Sequence, residues 1–376
     1  MKILYYKWTS FMNEGVENAL IRLNISYDTF IFQLEDWEHD DEFVERLTAK
    51  LKSCSYDCVF SINYVPLISN VCESLGIRYV AWVYDSPIHI RDLSSLKNTC
   101  NDIYFFDRGQ AEEYKKIGIK AKHMPLAVDT AYWDRQIKTG QNSLDHMDIS
   151  FVGQLYRTDY KYFISPMDEY VRGYIEGIIS TQKKLYGGYI IPELVTSELL
   201  DKMNHQYDKI TSDGFQMGKR ELEYMLASET TFRERYEVLA LLANHYKVDW
   251  FSGDDTEISN VTKHTYADYN TQMPVIFNKS KINLNISLKA IRTGIPMRAL
   301  DIMGCGGFLL SNYQVELADY FIPDRECVLY DSLEDMYEKC SYYLFHDEYR
   351  EAIAKAGYEK VKNEFTFLNR LKIMLG

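Results

Sequence analysis

Twice along this chain, short apolar runs alternate with single segments of helical period, and that repetition limits the open folds more than any other feature. In the first half, apolar runs bounded by polar turns occupy residues 2–6, 28–32, 58–62, 79–84, 103–106 and 122–127. Helix-period segments lie between them at 14–23, 41–51, 66–75 and 110–117. Pro66 has the fixed φ of a first helical turn, and Gly76 and Gly118 can take the left-handed conformation that follows a helix end. Runs apolar on both faces, joined by single helices, predict a parallel sheet covered on both sides. The result is an α/β, Rossmann-like domain. TSFMNEG stands after the first run where a GxGxxG fingerprint would be, so this half is not expected to hold a dinucleotide.

Residues 134–148 are polar, include Gly140, and read as a linker. The pattern then restarts with an apolar run at 149–152 ending in Gly153, and the next one comes only at 248–251. The interval far exceeds the ~30 residues of a simple strand-helix-strand unit. It is helical in character: Tyr170, Tyr174 and Ile178, with Val171, Ile175 and Ile179, form one stripe, and residues 233–245 form another. The second domain therefore carries a helical insertion over about 160–245. It is either an embellishment that packs on the domain or a surface that binds an acceptor or a second copy. Shorter units follow, with helices at 273–279 and 296–303 and strands at 282–286, 308–310 and 327–330. The expected boundaries are 1–135 for the first domain, with a terminal helix 366–376 returning to it, and 136–365 for the second. Two such domains would bind ligands at the carboxyl ends of their sheets, across a cleft.

The densest chemistry lies in SLKAIRTGIPMRALDIMGCGGFLLSNY, residues 287–313. A strand ends at Ser287, a loop reaches Gly294, and Pro296 opens a helix whose free amides can receive an anion. Arg298 can add a forked contact to a diphosphate. Asp301 follows one turn later, where it either pairs with Arg298 or accepts two ribose hydroxyls. Gly304, Gly306 and Gly307 form a turn or a ligand wall. Asn312 closes the segment at the next strand end.

In the first half, the run 79–84 ends in Asp85-Ser86-Pro87. A carboxylate at the carboxyl end of a parallel strand is where a general base would meet an acceptor hydroxyl, although Asp before Ser-Pro is also ordinary turn chemistry. His89 could serve as base or acceptor ligand, or lie at the surface. Asp107 and Arg108 stand at the next strand end, where they either line the same edge or pair with each other.

These segments resemble the group 1 glycosyltransferases, in particular the spore-maturation-protein-B-like branch. The tail carries the resemblance in MRALDIMGCGGFLLSNY, ELADYF, VLYDSLEDMYEKCSYYL and YEKVKNEFTF; the first half carries it in VFSINYVPLISNVCESLGIRYVAWVYDSP and IYFFDRGQAEEYKKIGIKAKHMPLAVD. The resemblance implies a GT-B fold of two Rossmann-like domains facing a cleft. It further implies a nucleotide-diphosphate sugar as co-substrate held mainly by the second domain, an acceptor on the first, and no essential metal or other cofactor. Carried over by position, Gly153 matches the glycine near the sugar and diphosphate, Asp301 the acid associated with the ribose, and Tyr266 a loop that touches the base. Two positions depart: Thr293 replaces the first acid of the family pair, and Gln154 stands where retaining relatives carry an arginine. Arg157 and Arg298 are then the expected phosphate partners, and the outcome is either inversion, towards which the two departures point, or retention, in which the leaving diphosphate itself helps deprotonate the acceptor.

A net charge of -13 argues against the basic surface that grips nucleic acid. The opening MKILYYKW alternates too briefly to read as a signal peptide, and no run reaches the ~18 apolar residues of a span, so a cytoplasmic location is expected, with peripheral membrane contact left open. The seven scattered cysteines read as reduced thiols. The expected acceptor is a glycan, a lipid-linked intermediate or a protein, in cell-surface glycan or glycoconjugate synthesis. A nucleotide-sugar epimerase of the same fold and a non-catalytic nucleotide-sugar-binding protein remain alternatives.

Overall fold

The computed structural model describes residues 1–140, 144–210 and 214–376. By contact the chain forms two compact units, one of Met1–Asp134, Thr293–Gly304 and Glu359–Gly376, the other of Arg135–Arg292 and Cys305–Tyr358.

The first unit begins β1 (Lys2–Lys7), α1 (Asn13–Arg22), β2 (Ser26–Ile31), α2 (Asp41–Ser53), β3 (Cys58–Ile62), α3 (Pro66–Leu75) and β4 (Arg78–Val83). It continues through β5 (Asn101–Phe105), α4 (Arg108–Lys116), β6 (Ala121–His123) and the start of α5 (Thr130–Gly140). Local chemistry fixes the helix ends. Asp40 caps α2 by accepting from Phe43 N at 2.8 Å, Pro66 opens α3, and Gly76 closes it at φ 65°. The six strands pair in parallel in the order β2-β1-β3-β4-β5-β6, so the strand order reverses between β1 and β3. Such a reversal opens a crevice at the carboxyl ends of the two strands.

The second unit contains β7 (Met147–Val152), then α6 (Tyr160–Ile164), α7 (Glu169–Lys184), α8 (Ile191–Leu194), α9 (Ser197–Tyr207) and α10 (Lys219–Ala243) before β8 (Val248–Phe251). After β8 come β9 (Thr262–His264), α11 (Met273–Lys279), β10 (Ser280–Asn285), α12 (Met297–Gly304), β11 (Leu309–Asn312), α13 (Val315–Tyr320) and β12 (Val328–Tyr330). The chain ends through α14 (Leu333–Phe345), α15 (Asp347–Glu364) and α16 (Phe367–Leu375). The second sheet is also parallel and six-stranded, in the order β12-β11-β10-β7-β8-β9, with its reversal between β7 and β10.

The insertion builds a core of its own. Val171, Ile175 and Ile179 of α7 are buried with Leu199 and Met203 of α9 and Leu226 of α10, whereas Tyr170 of the same stripe is exposed. Helix α10 starts well before residue 233, because its middle is buried on more than one side and carries no simple polar face.

The stretch 134–148 is not the linker that its composition predicts. Helix α5 runs to Gly140, anchored by Asp129, which accepts from Tyr132 N at 3.0 Å, and by the buried Trp133. A cap and one buried indole outweigh the polar residues. Residues 141–143 of that stretch lie outside the described residues. The edge strand β9 has no counterpart among the apolar runs.

Candidate functional site

In the first unit the carboxyl end of β4 is tied to that of β3. Asn63, at φ 61°, donates from Nδ2 to Asp85 Oδ2 at 2.6 Å, and its Oδ1 accepts from Tyr84 N at 2.9 Å. Asp85 is half-buried, and the loss of solvent raises its pKa above the ordinary carboxylate value, against the opposing pull of the nearby His89 charge and the Asn63 bond. His89 itself is exposed. Aromatic rings flank this edge: Trp8 stacks along Tyr84 with centroids 6.3 Å apart, and Phe11 meets the same ring edge-on at 5.5 Å. Trp8 also spans the reversal between β1 and β3, donating from Nε1 to Ile62 O at 3.0 Å.

Asp107, fully buried, is a fastening point. Its carboxylate caps α4 by accepting from Gly109 N at 3.0 Å, accepts from Ser86 Oγ at 2.9 Å, and accepts from both the amide and the hydroxyl of Thr293 at 3.1 Å. Thr293 Oγ1 in turn accepts from Gly109 N at 2.8 Å. Thr293 thus holds the loop before α12 against the start of α4. Gly294 is required there, since a Cβ would lie 2.9 Å from Asp107 Cα and from the Phe106 ring. Pro296 precedes α12, and within it Arg298 Nη1 meets Asp301 Oδ2 at 3.3 Å, with Asp301 only 1% exposed. Gly304 faces Trp133 and Val128, which makes it a packing glycine.

In the second unit, the buried Arg235 of α10 crosses the reversal between β7 and β10. It donates to Gln154 O, the residue after Gly153, and from Nε to Ile286 O at 3.0 Å. Gly153 O accepts from Trp250 Nε1 at 2.9 Å. At the ends of β10 and β11, Ser287 N donates to Asn312 Oδ1 at 2.8 Å, and both residues are buried. The loop after β10 is held to α10 by the buried pair Lys289 Nζ–Glu234 Oε2, 2.9 Å, and by Lys289 N donating to Thr231 Oγ1 at 2.9 Å.

Gln154, Arg157 and Tyr266 line one cavity of about 590 Å³ at the carboxyl ends of β7 and β8. Exposed Arg157 pairs with exposed Asp255 at 3.3 Å. Asp254 accepts from Thr256 N at 2.8 Å; burial pushes its carboxyl upward, but bonds from Thr256 and Leu155 outweigh that and hold it below the usual range. Residue pattern alone gave no sign of Arg235, Glu234 or Lys289, whose partners are backbone carbonyls or residues far away in sequence. Among the described residues no group of three or more His, Cys, Asp or Glu side chains is arranged to hold a metal ion. No helix among them is long and apolar enough to cross a membrane.

Residues 225–376 match the model of a family described as glycosyl transferase-like. No curated protein sequence matches the chain significantly. Among solved structures, the chain is similar to Anabaena HepE in complex with UDP-glucose, at 10% identity and TM-score 0.58, covering 100% of this chain and 98% of that one. It is similar to sucrose-phosphate synthase from Thermosynechococcus elongatus at 10% identity and TM-score 0.56, covering 100% and 96%. A third is a UDP-forming α,α-trehalose-phosphate synthase from Burkholderia vietnamiensis, at 11% identity and TM-score 0.55, covering 100% and 95%. Two doubly wound, six-stranded parallel sheets, and a structural likeness that runs the length of the chain, give this protein the GT-B fold, with a glycosyl transferase-like region from residue 225 onward.

Proposed function

We propose that the protein is a glycosyltransferase that moves a sugar from a nucleotide-diphosphate donor to a hydroxyl acceptor, and that it belongs to the spore-maturation-protein-B-like branch of group 1. The observation that carries the proposal is the match of residues 225–376 to a glycosyl transferase-like family, a region that includes Tyr266, Ser287, Arg298, Asp301 and Asn312. HepE in complex with UDP-glucose and the UDP-forming synthase support a UDP-sugar as donor. The location assigned is cytoplasmic, and the product belongs to a cell-surface glycan or glycoconjugate.

In this reading Asp85 is the general base. Its Asn63 bond fixes one oxygen, and the carboxylate removes the acceptor proton as the acceptor oxygen attacks the anomeric carbon. The bond from that carbon to the diphosphate breaks, and the nucleoside diphosphate departs with the electron pair. One displacement inverts the anomeric configuration. Arg298 receives the charge developing on the diphosphate, and the donor set also includes Gly153, Gln154, Arg157, Tyr266, Ser287, Gly294, Pro296, Asp301 and Asn312. His89 assists at the acceptor. A panel of nucleotide sugars followed by proton NMR tests the proposal. Nucleoside diphosphate released with an inverted product linkage is the expected result. A donor isomerised without release supports an epimerase, and binding without turnover supports a non-catalytic binding protein.

A further inference from the structure

Helix α10 supplies one wall of the cavity that holds Gln154, Arg157 and Tyr266: Tyr224 and Ser228 line it from the insertion side. Two of the helix's neighbouring hydroxyls follow the usual course, Thr230 donating to Leu226 O at 2.7 Å and Thr231 to Ala227 O at 2.8 Å. Ser228 does not. Its side chain is 1% exposed, and its Oγ has no hydrogen-bond partner among the described residues. An unanswered buried hydroxyl costs free energy unless something completes it, and here it borders a cavity large enough for a ligand.

The charges of the cavity exclude one part of a nucleotide sugar from it. Arg157 is balanced by Asp255, and Asp254 adds a second carboxylate that stays ionised well into the acid range. A diphosphate would meet net repulsion there. A neutral, planar group with hydrogen-bonding edges would not, and the rings of Tyr156, Tyr224 and Tyr266 offer it faces to stack on. Resting on the reading of the protein as a nucleotide-sugar enzyme, we infer that the helical insertion is the base-reading wall of the donor site, with Tyr224 stacking on the nucleobase and Ser228 hydrogen-bonding its edge.

Calorimetry with UDP, GDP, dTDP and ADP tests this on the full chain. In the unmodified protein one of the four is expected to bind best. Tyr224→Ala should weaken that one by about tenfold, the scale of a lost base–aromatic stack. Ser228→Ala should weaken it by about threefold to tenfold. The other three should lose less, so that the preference flattens, while Tyr224→Phe keeps wild-type affinity. The best-bound diphosphate holding to folded Ser228→Ala and Tyr224→Ala as it does to the unmodified protein would overturn the inference, as would an equal loss for all four. Should Tyr224→Ala fail to fold, Ser228→Ala decides alone. Failure of every diphosphate to bind the unmodified protein would instead count against the glycosyltransferase reading itself, which keeps the two failures apart.

Discussion

Asp85 owes its place to Asn63, whose left-handed backbone turns one amide to serve both the Asp85 carboxylate and the Tyr84 N–H. Desolvation raises the Asp85 pKa from 3.8, so the carboxylate ionises at a higher pH than an exposed aspartate does. A base acts only when ionised. The rate, kcat/KM, should therefore fall as pH drops through that raised value, placing the acid limb of the profile above the ordinary aspartate range. A profile flat down to pH 4 would remove Asp85 as the base. The stability effect has the opposite sign. A raised folded pKa gives stability that is present below the unfolded value and lost as pH rises through the folded one. Asp85→Asn should then hold or raise Tm at neutral pH, whereas a turn-forming aspartate would lower it. Arg298 pairs with buried Asp301 and is also proposed to bind the diphosphate. Arg298→Ala should cost about 1.5 to 3 kcal/mol in nucleoside diphosphate binding by calorimetry, and should also destabilise the fold by depriving buried Asp301 of a partner. Unchanged affinity in a folded variant would take Arg298 out of the site.

At the scale of elements, α16 illustrates what sequence pattern conveys and what it leaves out. Thr366 reads as an N-cap, and in the structure its Oγ1 accepts from Asn369 N at 3.2 Å. The apolar side of the helix is also legible, but not its target: Phe367 meets the Trp82 ring edge-on at 5.9 Å and lies where a Cβ on Gly15 would stand, 2.3 Å from its ring. Arg78 Nη2 donates to Met374 O at 2.9 Å. Removing residues 366–376 should lower Tm by several degrees, and Gly15→Ala should do the same by forcing the ring aside; an unchanged Tm in both would show that the helix contributes nothing. Strand β9 was invisible for the opposite reason. Thr262–His264 has no apolar run, and it is fixed by pairing with β8, by His264 stacking on Phe251 at 4.3 Å and by its bond to Asp249 at 2.7 Å. Arg235 reads in sequence as one more polar helix residue, because carbonyl partners leave no side-chain pattern. Apolar periodicity carries the alternation of strands and helices; the fastening of strand ends is long-range and polar.

For the molecule as a whole, each unit presents a reversal of strand order, and each reversal is bridged by a side chain, Trp8 in the first and Arg235 in the second. The two sheets were legible because most of their strands are apolar on both faces, while the partition of the loop and helix at Thr293–Gly304 into the first unit rests on the Asp107 fastening and on Gly294. Arg298 and the free amides that open α12 are the groups proposed to stabilise the departing diphosphate, so turnover should persist in excess EDTA. Activity abolished by chelation and restored by magnesium or manganese would contradict that mechanism. The most direct test of the account is the rate of nucleoside diphosphate release by Asp85→Asn and by the unmodified protein, from the tightest-binding donor and with acceptor present. The account predicts release by the unmodified protein and a fall of about 100-fold to 10,000-fold in the variant, at unchanged donor affinity. Near-equal release by the two proteins, or none from the unmodified one with any donor it binds, would contradict it.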